Sequence, residues 1–598
     1  MTATQEKLPH WDMTPVYPGL DSPEFAQGFR ETMQAIADLG RLFDDAQIAA
    51  RPSAPLDAAT VQTFETVIGR YNEALNAVRT ISVYIQCFVS TDSRNDLAQA
   101  RLSELEQHTV LLRQLGTRFT AWIGSLDVEA LIAQSAVAAD HAFALRKARE
   151  RAAHLMSPAE EALTAELDLL AGVAWEKLYD NFTSQLMVPF ERDGKTEMLP
   201  MSQIRNLAFD ADREVRRRAY EAELDAWQKA AVPIAAALNS IKGETNLLAR
   251  RRRWDSPLDA ALFGSNIDRA TLDAMLTAAR ESFPEFRRYL RAKARFLGLP
   301  RLAWYDLFAP LGAHGRRWEY SDAVAFITTH FGSYSPRLRD FAARAFGENW
   351  IDAEPRSGKV GGAYCAGLRK DESRILSNYN YSFGGVTTLA HELGHAYHNL
   401  NLAERTPLQR GTPMTLAETA SIFCETIISE AALHQADAQE QIEILEESLQ
   451  GACQVVVDIT SRFLFEQSVL EARKQRELSV EEFNRLMLDA QRQTYGDGLD
   501  ESTLHAYMWA AKPHYYGSTY YNYPYMFGLL FGLGLYARYR QEPDAFKAGY
   551  DDLLSSTGLA DAATLAARFG IDIRTPDFWR DSLGIIAKSI DRFEALAP

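Results

Sequence analysis

Apolar residues recur at three- and four-residue spacing through most of the chain, which predicts helices as the dominant element. The pattern runs over 23–151, with breaks at 51–55, around 90–96 and at Gly124-Ser125. Ahead of it, residues 1–20 carry Trp11, Pro15, Tyr17 and Pro18 and read as an irregular strap packed by its aromatics. Pro158 opens a helix that runs towards Trp175. Two short apolar runs over 186–199 then flank Asp193-Gly194, a hairpin signal. That hairpin marks the expected boundary between an N-terminal helical lobe, 1–198, and a larger domain, 199–598. Helical pattern returns over 210–248, 269–297 and 321–347, with strand candidates at 304–308, 359–365 and 375–379. The last two strands lead straight into a helix around residue 391. Beyond a loop marked by Pro407, Gly411 and Pro413 the chain is helical to its end, apart from a tyrosine-rich stretch at 514–525.

Composition narrows the function classes. The chain has 598 residues, 47% hydrophobic and 24% charged, as expected of a globular protein with a large core. A formal charge of −17 argues against a nucleic-acid partner, which requires clustered Lys and Arg. The one dense basic run, Arg250 to Arg253, reads as a solvated helix end. No apolar run is long enough to span a bilayer, and residues 1–7 show no signal-peptide pattern. The four cysteines are far apart, which fits free thiols in a reducing cytoplasm.

The chemistry gathers at His391-Glu392-Leu393-Gly394-His395, an H-E-x-x-H pattern. On a helix the two histidines sit one turn apart on one face, close enough to grip one metal ion. Imidazole nitrogens suit zinc, and a catalytic zinc keeps three protein ligands and one open position. Glu392 is placed to act as the general base. A third ligand is offered downstream by Glu418, which shares a helical stripe with Ser421 and Glu425. Glu425 could orient a liganding histidine; the alternative is a pair of exposed glutamates on an ordinary helix. His398 is too far along the same helix to bind with His391, and takes a structural or supporting role.

Two further stretches invite a functional reading. Gly361-Gly362-Ala363-Tyr364, with the following 374–379 run, suggests a sheet edge to which a peptide substrate adds as a strand. A glycine bulge in a buried hairpin is the alternative. His514, Tyr520 and Tyr523 could donate hydrogen bonds to an oxyanion, whereas by composition the segment also fits an aromatic core cluster.

The H-E-x-x-H motif, the Glu418-x-x-Ser421 stripe, Gly-Ala-Tyr at 362–364 and His514 followed by Tyr520-Tyr521-x-Tyr523 resemble the oligoendopeptidase F and thimet oligopeptidase family of zinc peptidases. Trp11-Asp12 and Tyr17-Pro18 resemble its oligoendopeptidase F branch. The resemblance implies a mainly α, zincin-like fold. Two helical lobes would close around a deep substrate channel, with a small antiparallel sheet beside the zinc helix. It implies one Zn2+ per chain, a catalytic domain over 199–598, and cleavage of short peptides rather than folded proteins. The competing readings are a metallocarboxypeptidase or dipeptidyl carboxypeptidase of similar fold, and a non-catalytic peptide-binding protein with a vestigial zinc site. Glu392 argues against the latter, because zinc binding alone needs no base.

Overall fold

The N-terminal helical pattern resolves into three long helices, α1 (Pro23–Asp45), α2 (Ala58–Thr91) and α3 (Asp96–Gly124). Each opens on a polar side chain that accepts from its first turn: Ser22 from Phe25, Asp57 from Thr60, Asn95 from Ala98. Their facing sides bury Phe43, Phe64, Leu115 and Trp122 in one core. Each such side chain contributes about 1.5–3 kcal/mol on leaving water. A second core joins α1 and α2 to the strap: Tyr17 meets the rings of Phe25 and Tyr84 edge-on, and the Tyr84 hydroxyl donates to the Tyr17 carbonyl at 2.8 Å. The computed structural model describes residues 6–52, 55–192, 194–311 and 316–598. Residues 1–5, Ser53, Ala54 and Asp193, which entered the sequence reading as the N-terminus, a helix break and a hairpin turn, lie outside these.

The expected hairpin forms from β1 (Met187–Arg192) and β2 (Lys195–Pro200), paired antiparallel. It packs on α4 (Arg213–Arg251), where Arg218 lies over the Phe190 ring and donates to the Glu191 carbonyl. The strand expected at 304–308 is instead a tight turn over Trp304–Asp306. Its cause is Asp306, a fully buried carboxylate that accepts from the Ala303 amide and from Arg213 and Arg216. That local bond holds the backbone in a turn. The single helix expected over 321–347 is two, α5 (Tyr320–Tyr334) and α6 (Pro336–Gly347). Pro336 holds Ser335 extended and cannot continue the helix.

A three-stranded sheet follows, in the order β3 (Ile351–Asp352), β5 (Glu372–Leu376), β4 (Tyr364–Arg369). The β4–β5 pair is antiparallel, as expected, while the short β3 runs parallel to β5. β4 is therefore an edge strand, and its Leu368 belongs to the core shared with α2 and the strap. Buried Arg374 on β5 donates twice to the Asp12 carbonyl and pins the strap to the sheet.

The chain divides into two compact units that interleave along the sequence. One comprises Met1–Leu155, Arg316–Ala432 and Glu542–Leu565; the other Met156–Gly315, Leu433–Gln541 and Ala566–Pro598. This is not a division at residue 198, because the hairpin is anchored to α4 within the second unit. No helix among the described residues is long and apolar enough to cross a membrane.

Candidate metal centre

The first unit carries the H-E-x-x-H helix, α7 (Phe383–Asn401), packed against β4 and β5. Ser382 caps it by accepting from Gly385, and Val386, Leu389, Ala390, Leu393 and Tyr397 form its buried face. This leaves His391 and His395 on the opposite side, half-buried, with ring centroids 4.9 Å apart. After a loop come a short helix, α8 (Met414–Ala417), and α9 (Ser421–Gln435). Glu418 sits in the turn between them rather than in mid-helix, yet its Oε2 lies 3.2 Å from His391 Nε2 and 3.3 Å from His395 Nε2. One ligand atom from each of His391, His395 and Glu418 lies within 4.8 Å of the other two. Two imidazoles and a carboxylate at this spacing could hold a metal ion, and the donor types match those of catalytic zinc sites.

The flanking residues hold this triad in place. Glu425, seven residues after Glu418, accepts from His391 Nδ1 at 3.0 Å. The Ser421 hydroxyl donates to Glu418 Oε2 at 2.5 Å, so the expected stripe acts together although the helix is broken between its members. Burial alone would push the Glu418 carboxyl up, but the two histidines overcome it and hold it well below the usual carboxylate range. Glu392, 6% exposed, has its Oε2 buried without a hydrogen-bond partner. Burial raises its pKa, against the pull of His391 and His395. His398 points elsewhere: it is buried, its Nε2 meets Thr557 Oγ1 at 2.9 Å, and burial pushes it down to about 4.

Sequence reasoning missed the part played by Gly394. A Cβ there would stand 2.6 Å from the Ala420 carbonyl oxygen and from Ser421 Cα. Only a glycine lets the Glu418 segment lie directly on α7. The signal was in plain view at the fourth position of the motif, but its partner could be identified only in three dimensions.

Gly361 and Gly362 lie ahead of β4 in a bend, not in a buried bulge, and the space where their side chains would stand is open. Asn378 donates to the carbonyls of Val360 and Gly362, and Tyr364 bonds Ser90 at 2.6 Å as it starts the edge strand. Ala363 is between them, half-buried.

The tyrosine stretch belongs to the second unit. It is not one helix: Tyr520 takes a left-handed backbone angle, φ 53°, and the helix α10 (Tyr523–Gln541) begins three residues later. Tyr523 is buried and its hydroxyl donates to Ser265 at 2.9 Å. Tyr520 donates its amide to Glu466, and His514 stacks on Tyr521 with its Nδ1 buried and unpartnered.

The sequence profile of peptidase family M3 matches residues 206–585, well over half of the chain. The chain belongs to peptidase family M3. Within this M3 chain, residues 123–187 also match the profile described as Oligopeptidase F. The oligoendopeptidase F homolog of Lactococcus lactis subsp. lactis is 26% identical over 80% of this chain and 79% of its own length. Group B oligopeptidase PepB of Streptococcus agalactiae is 26% identical over 74% of each chain. Among solved structures, oligoendopeptidase-F from Enterococcus faecium superposes with a TM-score of 0.69 at 17% identity, covering 96% of this chain and 98% of that one. PZ peptidase A does so at 0.70 and 14%, covering 95% and 96%. The mainly helical fold is shared with both of these solved structures.

Proposed function

We propose that this chain is a zinc-dependent oligoendopeptidase that hydrolyses internal bonds of short peptides, with His391, His395 and Glu418 holding one zinc and Glu392 as general base. The observation that carries the reading is the unpartnered, buried Oε2 of Glu392 beside three converging donors. Leaving such an oxygen unpaired costs about 1–3 kcal/mol, so a purely structural glutamate would be given a partner. Zinc held by this set supplies Lewis-acid polarisation and charge stabilisation. Glu392 accepts a proton from the attacking water and delivers it to the leaving amine. Glu425 holds the His391 Nδ1–H, which keeps Nε2 turned towards Glu418. The open backbone at Gly361 and Gly362, leading through Ala363 and Tyr364 into edge strand β4, offers an extended substrate a strand to pair with.

His514, Tyr520 and Tyr523 enter this reading as oxyanion donors through the resemblance alone. Since Tyr523 already has Ser265 as a partner, Tyr520 and His514 are the better candidates. The oligopeptidase names of the relatives support short peptides as the substrate. All four cysteines are free, which fits a cytoplasmic location. The deciding experiment incubates purified, zinc-loaded protein with a mixed peptide library and reads the products by mass spectrometry. Internal cleavage that a chelator abolishes and zinc restores is the expected result; an untouched library would refute the reading.

A further inference from the structure

A cavity of about 580 Å³ in the first unit runs from His391, His395 and Glu418 along β4 to two arginines, Arg79 and Arg410. Their neighbours Arg369 and Lys370 are paired, with Glu372 at 2.7 Å and Glu404 at 2.9 Å. Arg79 and Arg410 are not: among the described residues neither has a carboxylate within ion-pair distance. Arg79, half-buried on α2, donates its Nε to the Gly367 carbonyl at 3.1 Å. Arg410 donates only to the carbonyls of Leu402, Ala403 and Arg405 at the end of α7. Burial pulls both guanidiniums below the ordinary arginine range, and Arg79 lowers Arg410 further. Two like charges, partly desolvated and without a counter-ion, are an expensive arrangement unless an anion enters between them.

The geometry points to Arg79, supported by Arg410, as the anchor for a carboxylate of the bound peptide, set at a fixed distance from the bond being cut. This rests on the peptidase reading above. The spacing follows from the helix. Arg79 Nη2 and the Asn399 side chain both approach Gly367 closely, and Asn399 follows His395 by one turn. One turn is about 5–6 Å of rise, and an extended peptide covers about 3.3 Å per residue, which places the anchored carboxylate roughly two residues from the cut. Asn76, one turn before Arg79 on α2, lines the same end of the cavity and offers a neutral donor beside the charge. The carboxylate is the C-terminus of a short peptide or an Asp or Glu side chain at the matching position. Anchoring of this kind turns an endopeptidase into one that measures from an acidic group.

The test uses zinc-loaded full-length protein and a nonapeptide without acidic residues, made with a free C-terminus and as the amide, plus an amide series carrying one Glu at successive positions. Cleavage positions are read by mass spectrometry, and kcat/KM by product formation. For the wild type, the free acid is expected to be cut about two residues from its end. Its kcat/KM should exceed the amide's by about tenfold or more, through KM, as one charge-assisted contact provides. Recovery of that rate by the amide with Glu at one position would identify a side chain as an equivalent source. In Arg79→Gln the acid-to-amide ratio should fall towards one, and Arg79→Lys should restore part of it. Equal rates and identical cleavage positions for wild type on acid, amide and Glu series would overturn the anchor without any variant. A full ratio retained in a folded Arg79→Gln would do the same. If the wild type cut none of these peptides, the peptidase reading itself would fall, and the anchor with it.

Discussion

Replacing Glu392 by glutamine keeps the shape of the buried side chain but removes its capacity to accept a proton. Zinc content measured by metal analysis should stay near one per chain, while kcat falls by about 10²–10⁴-fold, the usual contribution of a positioned base. Glu425→Gln acts differently, because it loosens His391 without removing a ligand. Zinc affinity in a chelator competition should drop by about 10–100-fold. The closeness of His391 and His395 was legible because H-E-x-x-H places two imidazoles on one helical face whatever surrounds the helix. The path to Glu418 was legible only in part. The stripe of Glu418, Ser421 and Glu425 was read as one helix, whereas a turn interrupts it and the Ser421 hydroxyl restores the alignment. Arg79 gave no signal, since an arginine in the middle of a long helix is ordinary until its missing counter-ion is seen.

At the scale of elements, α7 is tied to α11 (Pro543–Ser555) and the turn after it by two bonds. Tyr397 donates to Asp551 at 2.6 Å, and His398 meets Thr557 at 2.9 Å. His398 is buried in its neutral form, with a folded pKa of about 4 against an ordinary value of 6.5. Its contribution is therefore complete above about pH 6.5 and is lost as pH falls towards 4, by on the order of 3 kcal/mol. Melting curves of metal-free protein between pH 7 and 4.5 should steepen this decline in the wild type relative to His398→Gln. Helix periodicity located most elements, but two expectations failed for local reasons. Asp306 turned a strand candidate into a tight turn, and Pro336 split one helix into two. The first needed two arginines from α4, Arg213 and the buried Arg216, to reveal itself; the second was written in the sequence as a proline and was underweighted.

For the whole molecule, turn chemistry is local while compactness is set by distant contacts, and the two compact units interleave along the sequence. The unit that carries His391, His395 and Glu418 draws on Met1–Leu155 as well as Arg316–Ala432. A fragment of residues 199–598 would lack α1–α3 and the strap, and with them the core that closes over Leu368. Such a fragment is expected to show no cooperative melting transition and rapid digestion in limited proteolysis. Full-length protein should resist both.

The glycine at position 394 also bears on design. Because a methyl group there would collide with Ala420, α7 is half of a two-piece joint whose other half lies in 414–425. Grafting residues 383–401 alone onto a new scaffold would transplant His391, Glu392 and His395 without the surface that brings in Glu418. A graft that is to hold metal must carry both halves and the loop between them, with the glycine intact. Gly394→Ala in the natural chain is the small-scale version of that failure. It is expected to cost about 1–3 kcal/mol of stability through overpacking and to weaken zinc binding, measured together by thermal melts with and without added zinc.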